Sequence, residues 1–159
     1  MKKRAQLLSH PFTIILTLVV AAFIIIFGIS AIRDLINVSN QVDLSSFTNS
    51  LQKEVDTYYS LESGSQKLLS INVPSQVEYI CFIDQSADID YSLIPNEKAG
   101  LVRAIKDKNV FFIPARKNPS LDPVNIRNLK PASNPLCVKT INKLEAKIIS
   151  QGNYVSISQ

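Results

Sequence analysis

FTIILTLVVAAFIIIFGISAI, Phe12 to Ile32, decides how the rest of the chain is read. It holds no charged residue and no proline. At about 1.5 Å per residue a helix of this length reaches roughly 32 Å, enough to cross a hydrocarbon layer of about 30 Å. Soluble helices of this length carry a polar face, and a helix can satisfy its own backbone in lipid. The stretch is therefore read as a transmembrane helix, with the lipid bilayer as its first partner.

The charge pattern agrees. The net charge is +4, and Lys2, Lys3 and Arg4 before the span plus Arg33 at its end account for all of it. Beyond Arg33 the 13 remaining basic residues balance the 13 acidic ones, so the basic character belongs to the membrane flanks. That placement removes the case for nucleic-acid binding, which needs a basic face on the folded part. A short basic flank stays on the cytoplasmic side, so the expected topology is N-terminus inside and C-terminal domain extracytoplasmic, in the cell membrane. The apolar run is too long for an ordinary secretory signal core, which favours an uncleaved anchor.

Two features of the N-terminal region leave a second reading open. Arg4-Ala5-Gln6-Leu7-Leu8 is similar to the cut site of archaeal prepilin peptidases, which would remove five residues and start the mature chain at Gln6. The glutamate that pilins carry near the mature start is absent; Ser9-His10-Pro11 stands there instead. Within the span, Thr13, Thr17, Ala21 and Gly28 fall on one helical face, where small side chains admit a second helix closely. That stripe would serve self-association or a membrane-protein partner. It is also an ordinary composition for a membrane helix.

After the span, Asp34–Val38 extends the helix and Ser39–Val42 reads as a polar break. A second, amphipathic helix is expected from about Asp43, with Leu44, Phe47, Leu51, Val55, Tyr58 and Leu61 on one stripe and Gly64 ending it. Its stripe is expected to pack on the domain's own sheet. The period then changes to two. Lys67–Val73 and Val77–Ile83 read as strands around a Pro74-Ser75 turn. A short helix follows, with Asn96 as its cap, and Asn109–Ile113 is a third strand. Residues 114–135 are loop-like around an extended Val124–Leu129. Leu136–Ile141, Leu144–Ile149 and Tyr154–Ser158 are expected to form a closing meander. The fold class is α+β: a transmembrane helix, an amphipathic helix, and a mainly antiparallel sheet domain with one short helix. By residue number the organisation is a cytoplasmic tail at 1–11, the span at 12–33, a juxtamembrane segment with the amphipathic helix at 34–64, and the domain at 65–159.

Cys81 and Cys137 both lie in apolar strand-like runs on the predicted outer side. An oxidising compartment and an even count favour a disulfide, whereas two buried thiols would behave as small hydrophobes. Without nearby histidines the pair is no zinc site. Four dispersed glycines build no phosphate loop, and His10 is the sole histidine, outside the domain. Asp84, Asp88 and Asp90 form one acidic loop whose spacing fits no calcium-loop pattern. No catalytic, cofactor-binding or metal site is read, and no cofactor is expected. Charge is segregated along the domain: residues 34–97 carry 10 acidic and 2 basic residues, and residues 98–159 carry 11 basic and 3 acidic. The halves would pair within one fold or dock copies head to tail.

The RAQLLSHPF opening, the Gly64–Pro74 segment, the CFID at Cys81–Asp84, NVFFIP at Asn109–Pro114 and NPLCV at Asn134–Val138 together resemble a loose group of uncharacterised archaeal single-span membrane proteins. The resemblance implies an archaeal, membrane-anchored, disulfide-capable domain and no catalytic residue. Where that group leads one to expect an Asn-Gly turn, this chain has Ile141-Asn142-Lys143.

Overall fold

The structure, a computed structural model, describes residues 9–115 and 121–159. The Ala5-Gln6 junction and the basic residues Lys2, Lys3 and Arg4 lie outside the described residues. The chain divides into two compact units, Met1–Gln41 and Val42–Gln159.

Helix α1 runs from Ser9 to Tyr59 without interruption. The expected break at Ser39–Val42 is absent. Three of those four residues are polar, but none is proline or glycine, and once a helix is nucleated, adding a residue costs little. Helix α1 also ends before Gly64. Gly64 instead takes a positive φ of 94° in the following loop, where its N–H donates to the Ser150 carbonyl at 2.8 Å.

Among the described residues seven strands follow in two sheets. Strands β1 (Gln66–Asn72), β6 (Lys143–Ser150), β7 (Val155–Ser158) and β4 (Leu129–Pro131) form the first, in the order β1-β6-β7-β4. Strands β3 (Val110–Pro114), β2 (Val77–Phe82) and β5 (Leu136–Lys139) form the second, in the order β3-β2-β5. Pairing is antiparallel except for β4 beside β7. The fold is α+β with mainly antiparallel sheets. The expected closing meander is corrected at its first strand: β6 and β7 pair, but β5 joins β2 rather than β6. The Pro74-Ser75 turn carries the chain from the first sheet to the second. In helix α2 (Asn96–Ala104) the N-cap position falls on Pro95 rather than Asn96, with no side-chain capping bond.

Side-chain alternation accounts for the layering. Phe47, Leu51 and Val55 of α1 meet Leu69, Leu144, Ile148 and Ile157 of the first sheet and Ile80, Phe82, Phe112 and Val138 of the second in one core. Phe47 stands edge-on to Phe112, ring centroids 5.9 Å apart. The opposite side chains of the second sheet, Cys81, Phe111 and Ile113, pack with Ile94 and with Val102 of α2 in a second core. Both faces of β2 and β3 are covered, which is why they read as continuous apolar runs rather than alternating ones. The two buried polar residues of the cores are hydrogen-bonded: the Thr140 hydroxyl donates to the Val77 carbonyl at 3.1 Å, and the Ser150 hydroxyl donates to the Leu61 carbonyl at 3.1 Å.

Candidate functional site

Phe12–Ile32 is the one helix among the described residues long and apolar enough to cross a membrane, and none of it is buried within the chain. Phe23 and Phe27, one turn apart, stack with centroids 6.2 Å apart. Along the small-residue stripe the Thr17 hydroxyl donates to the Ile14 carbonyl at 2.9 Å, and a Cβ at Gly28 would meet nothing within 4 Å. Thr13 and Ala21 are exposed on the same helix.

In the domain, Cys81 of β2 stands directly opposite Cys137 of β5, and the two are bonded with their Cα atoms 4.0 Å apart. Of the two readings left open for these cysteines, the disulfide is the one found.

The acidic loop is held by local hydrogen bonds. Asp84 accepts from both the backbone N–H and the hydroxyl of Ser86, and Asp90 does the same with Ser92. Two Asp-x-Ser turns thus bracket the loop, the second opening a 3-10 turn at Tyr91–Leu93. Asn134 ties the loop across: its Oδ1 accepts from the Asp84 N–H at 3.0 Å, and its Nδ2 donates to the carbonyls of Asp84 at 2.8 Å and Asp88 at 3.0 Å. Among the described residues no group of acidic, histidine and cysteine side chains could hold a metal ion.

Burial raises the Asp84 carboxyl, but the Ser86 hydrogen bonds and Lys130, at 3.0 Å, outweigh that and hold its pKa below the ordinary value of 3.8. A carboxylate lowered in the folded state stabilises the fold above its unfolded pKa, and that contribution disappears as pH falls through the folded one. Acid melting of the full chain should therefore steepen below about pH 4, and Asp84→Asn should flatten that dependence. An unchanged acid limb in the variant would show that Asp84 contributes nothing.

Among the described residues Lys130–Asp84 is one of three ion pairs that join residues 34–97 to residues 98–159, with Arg127–Asp56 at 3.6 Å and Lys139–Glu78 at 3.6 Å. These pairs favour internal neutralisation over head-to-tail docking as the meaning of the charge split. They are largely exposed and add little stability each.

Two clefts remain. A basic one of about 470 Å³ gathers Lys106, Lys108, Arg127 and Lys130, with Asp84 and Asp107 among them. Asn109 also lines it, donating to the Ile126 carbonyl at 2.8 Å and accepting from the Ile126 N–H at 2.8 Å. A larger groove of about 800 Å³ lies between α1 and β1, lined by Asp43, Ser46, Ser50 and Glu54 from the helix and Ser70–Ser75 from the strand and its turn. Neither cleft is legible in the sequence, because each collects residues from three or more separated segments. Comparison with family models, characterised proteins and solved structures found no match.

Proposed function

We propose that the chain is a non-catalytic, single-pass membrane protein that presents an extracytoplasmic binding or accessory domain. The observation carrying this reading is the contrast between its two units: an apolar helix unburied over Phe12–Ile32, and a domain with its own cores and a cross-strand disulfide. Lys2, Lys3 and Arg4 ahead of the span support a cytoplasmic N-terminus. The disulfide supports an oxidising side for the domain. On the resemblance to archaeal single-span proteins, the setting is an archaeal cell membrane. The carboxylates of Asp84 and Asp90 are committed to turn contacts, and Asp84 also to an ion pair, which supports binding or scaffolding over acid–base chemistry.

One observation favours a second reading, a structural subunit of a pilin-like filament. Helix α1 is unbroken from Ser9 to Tyr59, with its apolar part unburied, as a filament of bundled N-terminal helices would require. Intact-mass measurement on the protein purified from its own membrane separates the two. A chain beginning at Met1 or Lys2 is expected for the anchor. A chain beginning at Gln6 would overturn it in favour of the processed subunit.

A further inference from the structure

We infer, resting on the reading of the domain as a binding module, that the basic cleft takes a small molecule by its phosphate group. Charge sets the sign of the ligand. Lys106, Lys108, Arg127 and Lys130 line the cleft with Asp84 and Asp107, four cations against two carboxylates and so a local excess of two positive charges. Residues 34–159 are neutral as a whole, with 13 basic and 13 acidic residues, so the excess belongs to this cleft. In the groove beside β1 the balance is reversed, since Lys53 is outnumbered by Asp43 and Glu54. A concave, like-signed lining focuses the field on an entering counter-ion.

Side-chain amides fix the backbone that carries these cations. Gln85 Nε2, just after β2, donates to the Ile105 carbonyl at 3.2 Å and to the Lys108 carbonyl at 3.4 Å, bracketing Lys106. Asn109 Nδ2 donates to the Ile126 carbonyl at 2.8 Å and to the Leu129 carbonyl at 3.2 Å, bracketing Arg127. Three separated segments are thus held together before any ligand arrives, which lowers the ordering cost of binding.

The ion pairs already present differ in how firmly they hold. Lys130 is committed: Asp84 lies at 3.0 Å, and the Tyr154 ring centroid at 5.6 Å. The others are open to exchange. The acidic partner of Lys108 is its chain neighbour Asp107, whose side chain is 74 % exposed, and Arg127 meets Asp56 at 3.6 Å with its own side chain 73 % exposed. Solvated pairs of this kind contribute little. Among the described residues Lys106 joins no ion pair. Lys106, Lys108 and Arg127 are therefore the groups a ligand recruits. A carboxylate would offer them no more than Asp107 and Asp56 already do. A phosphate monoester brings about two charges and three acceptor oxygens, and the Arg127 fork can take two of those in parallel. The cleft, about 470 Å³, falls within the roughly 300–1,000 Å³ of small-molecule sites and leaves room for the group that bears the phosphate. That group is a soluble ester or a phospholipid headgroup.

The test uses the full chain in non-ionic detergent and reads lysine acetylation by mass, with and without inorganic pyrophosphate. Pyrophosphate should slow modification of Lys106 and Lys108, while Lys53 and Lys147, outside the cleft, keep their rates. Arg127→Gln should raise the pyrophosphate needed for half-protection by about tenfold or more, with the melting temperature retained. Lys106→Gln, read at Lys108, should do the same, and it serves if the arginine variant fails to fold. Repeating the measurement in phosphatidylglycerol nanodiscs separates the two sources. Protection without added pyrophosphate assigns the headgroup, and protection only on its addition assigns a soluble ester. Unprotected Lys106 and Lys108, equal protection of Lys53, or protection matched by sodium chloride at the same ionic strength would each overturn the site. A chain still beginning at Met1 or Lys2 would then keep the anchor reading and lose only this ligand.

Discussion

Replacing Cys81 and Cys137 together by alanine is expected to lower the melting temperature of the domain by about 10–20 °C. The two cysteines are 56 residues apart, and in the loop-entropy model a cross-link of that span stabilises the native state by roughly 4 kcal/mol. Alanine is preferred to serine because Cys81 is fully buried, and a hydroxyl there would need a hydrogen-bond partner. The position of the bond also says where the loss should be felt first. Strand β5 is an edge strand of four residues whose only sheet neighbour among the described residues is β2, and the disulfide staples that pair within its register. Hydrogen exchange should accelerate in Leu136–Lys139 before it does in β6 and β7. Reductant added to the unmodified protein should reproduce the shift. A double variant melting within about 2 °C of the parent would mean that the bond contributes little beyond the packing of its sulfur atoms.

What the sequence discloses about this molecule depends on the range of the interaction concerned. The span is legible because an uncharged apolar run needs no tertiary contact to declare itself. Strands β1, β2, β3, β6 and β7 are legible within a residue or two from local alternation and β-branched content. Pairing is not. That Pro74-Ser75 crosses between sheets, and that β5 lies beside β2, follows from how two cores are filled, and those cores join residues as far apart as Phe47 and Ile157. The polarity of Ser39–Val42 reads as a break because breaks are usually polar, but with no proline or glycine among these residues the helix runs on through them. Asn142 illustrates a partial reading. An Asn-Gly turn is the resemblance's expectation there, and the asparagine itself adopts the left-handed conformation at φ 61°, which asparagine tolerates better than most residues. The groove beside β1 and the basic cleft had no local signal, since each exists only once distant segments meet.

Leu51→Ala is expected to cost about 3–5 kcal/mol of unfolding free energy, while Leu61→Ala should cost no more than about 0.5 kcal/mol. Periodicity alone places both on the same apolar stripe, together with Leu44, Phe47, Val55 and Tyr58. The structure separates them. Leu51 is 0 % exposed and sits between Phe47 and Val55 in the core shared by both sheets, whereas Leu61 lies beyond the end of α1 and is 44 % exposed. Truncating Leu51 removes buried methyl groups and leaves a cavity that strands from two separate sheets must close together, so collapse around it is poor. Truncating Leu61 removes surface that water already reaches. Chemical denaturation of the full chain in detergent, read by a probe of the sheets, compares the two directly. A loss at Leu51 as small as that at Leu61 would mean that the last turns of α1 lie against the sheets without sharing their core. A large loss would establish that the domain begins within the helix, and that strain applied to α1 at these turns acts directly on both sheets.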